Sequence, residues 1–217
     1  MIDHSLLNPV MTDPILLEGI EIAKKHKTAS VCIKPYFVSR AAKFLEGSGV
    51  AVGTVIGFPH GGHSTAVKVM EAQQAIQDGA TELDLVVNIG KVLSGDWEFV
   101  EKDLRSVVSI CQATQSISKI IFENCYLEDS HKIQLCQISE RIGADFVKTS
   151  TGYGSGGATP EDLKLMRAHV SPKVQVKAAG GVRDLNRLLE VVALGVTRVG
   201  ATATEKILEE AAKRFKP

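Results

Sequence analysis

No stretch of this chain is apolar for long enough to span a membrane, and its opening residues, Met1-Ile2-Asp3-His4-Ser5, have neither the basic region nor the apolar core of a signal peptide. An excess of one charge sign is also missing. Lys+Arg 25 balances Asp+Glu 25 and no basic run exceeds a pair, so nothing marks a nucleic-acid or membrane partner. Cysteine is sparse: Cys32, Cys111, Cys125 and Cys136 lie far apart with no CxxC spacing. That argues against a zinc ribbon or a disulfide framework and reads as reduced thiols in the cytoplasm. Histidine offers no metal motif, since His60 and His63 sit in a glycine loop and His4, His26, His131 and His169 are scattered. No GxGxxG opens the first helix, which argues against an open dinucleotide-binding sheet.

What remains is regular alternation. Residues 2–7, 30–33, 51–56, 82–87, 118–123, 145–149, 174–177 and 196–200 read as strands, with helical patterns between them. Thr12 or Asp13 ahead of Pro14, Asp96, and Thr159 ahead of Pro160 are the candidate helix caps. The helix at 65–77 shows a mostly apolar stripe of Ala66, Val69, Met70, Gln73 and Ile76. The first helix carries Ile15, Leu16, Ile20 and Ala23, the last one Ile207, Leu208, Ala211 and Phe215. Strict strand–helix alternation implies parallel strands, so the expected architecture is α/β, a single (β/α)8 TIM barrel occupying residues 1–217.

Lysine is the residue type least suited to a buried strand, yet Lys148 lies near the end of the sixth strand and Lys177 closes the seventh, each just ahead of glycines. A lysine on an edge strand reaching solvent is the plain alternative for either one alone. Neighbouring strands lie about 4.8 Å apart, so both amines can enter one cavity. A useful nucleophile at neutral pH needs a lysine brought from about 10.4 to near 7, a bias of roughly 4–5 kcal/mol against its charged form. A like charge about 4 Å away supplies about 4 kcal/mol at an effective dielectric of 20, and burial adds to it. Such an amine attacks carbonyls and forms a Schiff base.

The fourth strand supplies an acid. Alternation along residues 82–88 sends Leu83, Leu85 and Val87 to one face and Glu82, Asp84, Val86 and Asn88 to the other. The apolar set suits the helices, which puts Asp84 inside the barrel with a lysine partner, either as a structural ion pair or as a proton relay. Lys119 and Glu123 share a parity on the fifth strand and are expected to form a further polar pair. Two loops, Gly180-Gly181-Val182-Arg183 and Gly200-Ala201-Thr202, follow the seventh and eighth strands and lead into helices, the place where barrels hold phosphate.

The stretch Phe146-Val147-Lys148-Thr149-Ser150-Thr151-Gly152-Tyr153-Gly154, with Val176-Lys177-Ala178-Ala179-Gly180-Gly181-Val182-Arg183 downstream, closely resembles the deoxyribose-phosphate aldolase family. The resemblance continues through residues 2–7, 31–33, 57–59, 67–72 and 82–84, nearly the whole chain in order. It implies a class I aldolase that reversibly cleaves 2-deoxy-D-ribose 5-phosphate to D-glyceraldehyde 3-phosphate and acetaldehyde, with no metal or organic cofactor. On this resemblance Lys148 is the Schiff-base lysine, Lys177 the lysine that perturbs it and Asp84 the proton-transfer acid. Gly152, Gly180, Gly181, Val182, Arg183, Gly200 and Thr202 take the phosphate. The partner is then a small phosphosugar, and a homodimer is expected by analogy alone. Ala201-Thr202-Ala203 keeps one hydroxyl where the family usually has a row. That leaves open a catalytically silent phosphosugar-binding barrel, and a Schiff-base aldolase for another phosphorylated aldehyde is the third reading. Asn124 stands where the family more often has Thr. The chain begins almost at the first strand, without the leader many members have, and ends Phe215-Lys216-Pro217 without the tyrosine-bearing tail some use.

Overall fold

Strand β1 (Ile2–Leu6) pairs in parallel with β2 (Ser30–Ile33) on one edge and with β8 (Arg198–Ala201) on the other, so the sheet has no free edge. In the computed structural model, which describes residues 1–215, the remaining strands complete the circle in chain order. They are β3 (Ala51–Ile56), β4 (Glu82–Val86), β5 (Ile117–Ile121), β6 (Phe146–Lys148) and β7 (Gln175–Ala179). Lys216 and Pro217, the end of the C-terminal segment, lie outside the described residues.

Helices α1 (Asp13–Lys25), α2 (Val38–Leu45) and α3 (Thr65–Gln77) follow the first three strands. After β4 comes a short extra helix, α4 (Ile89–Leu93), before α5 (Trp97–Thr114), so nine helices rather than eight accompany the strands among the described residues. Asn88 starts α4 by accepting a hydrogen bond from the Lys91 N–H at 3.1 Å. The ring closes with α6 (Asp129–Ile142), α7 (Pro160–Ala168), α8 (Leu185–Ala193) and α9 (Thr204–Arg214). The result is a closed (β/α)8 TIM barrel.

The apolar core lies between strands and helices: Leu83, Leu85 and Val87 of the β4 segment bury there with Val31, Ile33, Ile120, Val147, Val176 and Val199. The charged residues of the same strands are left to face the barrel axis. On α5 the expected face of Val100, Leu104, Val107, Val108 and Cys111 is buried. On α3 the expected stripe holds only in part: Val69 and Ile76 pack half-buried against the core, while Ala66, Met70 and Gln73 are exposed. Met70 is 67% exposed and the buried residues are Lys68, Ala72 and Ala75. The reason is an ion pair that periodicity cannot see: Lys68 donates to Asp103 of α5 at 2.6 Å and to the Val86 carbonyl at 3.0 Å, turning the polar residue inward. Ile15 of α1 and Phe215 after α9 are likewise exposed. The Thr12 side chain makes no capping bond, whereas Asp96 and Thr159 do.

Candidate active site

Strands β6 and β7 run in register with Lys148 opposite Lys177, so the two side chains leave the sheet on the same face. Lys148 ends its strand, but Lys177 is in mid-strand, because β7 continues through Ala179. Both amines reach one carboxylate oxygen: Lys148 Nζ donates to Asp84 Oδ2 at 2.6 Å and Lys177 Nζ at 2.7 Å. The other oxygen of Asp84 accepts from Lys119 at 2.7 Å.

The three lysines differ in what else they hold. Lys177 also donates to Asp3 at 2.5 Å, and Lys119 also pairs with Glu82 at 2.7 Å. Lys148 has only its share of Asp84. Its amine is therefore the one that burial wins: burial pushes Lys148 below the usual lysine range, the Lys177 charge adds to this, and Asp84 opposes it. Burial also works against the charge of Lys177, but Asp3 and Asp84 outweigh it and hold that lysine above its usual range. For Asp84 burial favours the acid form, yet Lys119, Lys148 and Lys177 together keep it well below the usual carboxylate range. A 2.6 Å contact between Lys148 and Asp84 suits an ion pair, but Asp84 divides its charge among three amines, and Lys148 is the one of the three with no second carboxylate.

Above these groups opens a cavity of about 190 Å³ at the C-terminal ends of the strands. Lys148 and Lys177 form its floor with Cys32, and Asp84 lies fully buried beneath. Burial pushes the Cys32 thiol up to about 11, so it faces Asp84 Oδ2 at 3.9 Å as a protonated S–H. Every residue expected from the sequence to bind phosphate, namely Gly152, Gly180, Gly181, Val182, Arg183, Gly200 and Thr202, lines this same cavity. Gly180 has φ +82, and a Cβ on it would come within 2.8 Å of the Gly157 backbone. The loops after β6 and β7 thus pack backbone to backbone, with the Ala158 N–H donating to the Gly180 carbonyl at 3.1 Å.

The expected Lys119–Glu123 pair does not form. β5 stops at Ile121, and Glu123 turns into the left-handed region at φ 58, so the strand parity linking the two residues is lost. Glu123 instead accepts from the Thr151 hydroxyl and, at 3.2 Å, from its N–H, anchoring the loop that carries Gly152. Tyr153 of that loop donates to the Leu7 carbonyl at 2.8 Å across the barrel mouth and meets Phe58 edge to face. The sequence places Glu82 on the inward face with Asp84 but does not give its partners, Lys119 and Arg198, and it misses Asp3 and Arg198 altogether. Alternation from Ile2 would have placed Asp3 inside, but its partners stand far along the chain. Among the described residues, no group of three His, Cys, Asp or Glu side chains could hold a metal ion.

A family model described as DeoC/LacD family aldolase matches residues 1–204. A deoxyribose-phosphate aldolase of Rhodopirellula baltica is 57% identical over 215 residues, covering 99% of this chain and 89% of its own. One from Bacillus mycoides is 48% identical over 213 residues, covering 98% and 95%. Among solved structures, a deoxyribose phosphate aldolase from Aeropyrum pernix, described as a tetramer, superimposes with a TM-score of 0.90 at 30% identity, covering 99% of this chain and 89% of that one.

Proposed function

Because the chain belongs to the DeoC/LacD family of aldolases, we propose that it reversibly cleaves 2-deoxy-D-ribose 5-phosphate to D-glyceraldehyde 3-phosphate and acetaldehyde through a Schiff base on Lys148. The observation that carries this reading is the unequal sharing of Asp84: of the three lysines on it, Lys148 has no second carboxylate, whereas Lys177 also meets Asp3 and Lys119 also meets Glu82.

The neutral Lys148 amine attacks the C1 aldehyde of the open-chain sugar, and its own N–H proton ends on the oxygen. Lys177 gives a second proton, water leaves, and a cationic imine remains. The C2–C3 bond then breaks. Its electrons neutralise the imine as an enamine, the C3 hydroxyl proton returns to the Lys177 amine, and glyceraldehyde 3-phosphate departs. Lys177 next protonates C2, and water adds to the cationic imine, giving its surplus proton back to the Lys177 amine as acetaldehyde leaves and neutral Lys148 is restored. Asp84, bonded to both amines, keeps the proton donor charged and steers it toward the reacting atoms. Gly152, Gly180, Gly181, Val182, Arg183, Gly200 and Thr202 surround the phosphate with backbone N–H groups, one hydroxyl and one guanidinium.

Residues 1–217 act as one catalytic domain, working in the cytoplasm. The chain assembles as a homodimer, which light scattering on the purified protein checks. The decisive test is borohydride reduction in the presence of acetaldehyde, followed by peptide mapping. A two-carbon adduct on Lys148 and its loss in Lys148→Arg, together with turnover of deoxyribose 5-phosphate above ribose 5-phosphate, are expected. An unmodified Lys148, or turnover in the folded Arg variant, removes the reading.

A further inference from the structure

Below Lys148 the barrel axis is filled by charge down to its N-terminal end. Arg198 Nη1 donates to Asp3 Oδ1 at 2.5 Å and to Glu82 Oε2 at 3.1 Å, and its guanidinium lies 5.5 Å from the Phe146 ring centroid. From there two arms rise. One runs through Asp3 and Lys177, the other through Glu82 and Lys119, and both end on Asp84, which holds Lys148.

The groups around Lys148 come from all the other strands except β3. β1 gives Asp3, β2 the Cys32 thiol, β4 Glu82 and Asp84, β5 Lys119, β7 Lys177 and β8 Arg198, while Gly53 and Val55 of β3 bring no titratable group. Above them stand Arg183 at the cavity mouth, exposed, Tyr153, and Glu123, which is buried on Thr151. Three carboxylates thus face four basic groups inside the barrel. Losing one proton balances that interior, and Lys148 is where the loss is least opposed.

Resting on the aldolase reading above, we infer that Arg198 and Glu82, neither of which lines the cavity, are positioning residues. Through the two arms their charges set the pH at which Lys148 becomes a nucleophile. Removing the Arg198 charge leaves Asp3 and Glu82 to hold protons on Lys177, Lys119 and Lys148. Removing the Glu82 charge does the opposite.

The test is the rate of borohydride-trapped acetaldehyde adduct on Lys148 against pH, which needs no phosphosugar. Arg198→Met moves the midpoint of the rise in trapping rate up by about one pH unit, and Glu82→Gln moves it down by about as much. The double variant Glu82→Gln/Arg198→Met returns it toward the wild-type value, and Arg198→Lys keeps it there. A merely structural role lowers the rate without moving the midpoint, and the double variant is then the worst. If both single variants keep the wild-type midpoint, or move it the same way, the inference is overturned. Should Arg198→Met not fold, the nearly isosteric Glu82→Gln gives the answer by its direction alone. No adduct in the wild type removes the aldolase reading and this inference together, whereas normal trapping with unmoved midpoints removes only the inference.

Discussion

At the scale of single residues, the proposed chemistry rests on a difference between two lysines that the sequence presents as near equals. Lys148 and Lys177 both precede glycines on adjacent strands, and that much is legible from spacing. Which one holds its charge depends on Asp3, which pairs with Lys177 at 2.5 Å from 174 residues away in the chain. Replacing Lys177 by Met removes a like charge beside Lys148 and frees Asp84 to hold the remaining amines. Both effects raise the folded pKa of Lys148, so the amine is lost to protonation at higher pH than in the wild type. The expected outcome is a trapping profile displaced upward by about one to two pH units, with turnover at neutral pH lowered at least 100-fold because the proton donor is also gone. A profile that keeps its wild-type midpoint would leave Lys177 as a donor only. Asp84 itself was legible, because the strand alternates cleanly around it, whereas Lys119 was paired with the wrong acid once the strand ended two residues short of Glu123.

At the scale of elements, helix caps and strand faces followed from local chemistry, and helix docking by buried polar groups did not. Asp96 and Thr159 accept from the N–H groups of Phe99 and Asp162, as short-range rules require. The α3 face could be read only in part, because its docking residue is a lysine whose partner, Asp103, lies on another helix. Lys68 and Asp103 are 0% and 1% exposed, so Lys68→Met leaves a carboxylate buried without its cation and should cost about 3–5 kcal/mol. The double variant Lys68→Met/Asp103→Leu removes both charges and is expected to recover most of that loss in urea unfolding. If the double is as unstable as the single, the pair's value lies in its shape rather than in its charge. Helix α9 is docked by a second buried contact, His4 Nδ1 to the Thr204 hydroxyl at 2.8 Å. Burial pushes His4 down to about 4 from 6.5, with the His26 charge adding to it and Glu205 opposing. The unfolded chain therefore takes up the proton first. The stability that His4 contributes is full above about pH 6.5 and is lost as pH falls toward 4, about 3 kcal/mol in all. Urea midpoints between pH 7 and 4 should fall less steeply in His4→Gln than in the wild type, and equal slopes would refute the assignment.

At the scale of the whole molecule, alternation of strand and helix predicted the barrel, but alternation says nothing of how the ends meet. Closure is made by β1, in register with β8 through Ile2–Val199, Asp3–Gly200 and His4–Ala201 and with β2 through Asp3–Ser30 onward. The same closure assembles the interior charges, since Asp3 bridges Lys177 to Arg198 only once β1 and β8 are side by side. That is why Asp3 and Arg198 escaped the sequence: their contacts with Lys177 and Glu82 exist only in the closed ring. One short strand therefore serves two ends, covering the edges of β2 and β8 and shielding the charged axis from water. Deleting residues 1–6 removes both, whereas Asp3→Asn keeps the strand and removes only the charge. Fluorescence of Trp97, the chain's one tryptophan, reports the outcome during urea unfolding. The deletion is expected to give a broad transition with a reduced slope, because an open sheet buries less surface and unfolds in parts. Asp3→Asn is expected to keep the wild-type slope at a lower midpoint, since Lys177 and Arg198 lose a buried counter-charge while the ring stays closed. A deletion variant that unfolds as sharply as the wild type would mean that the other seven strands hold their geometry without closure, and that β1 matters for its aspartate alone.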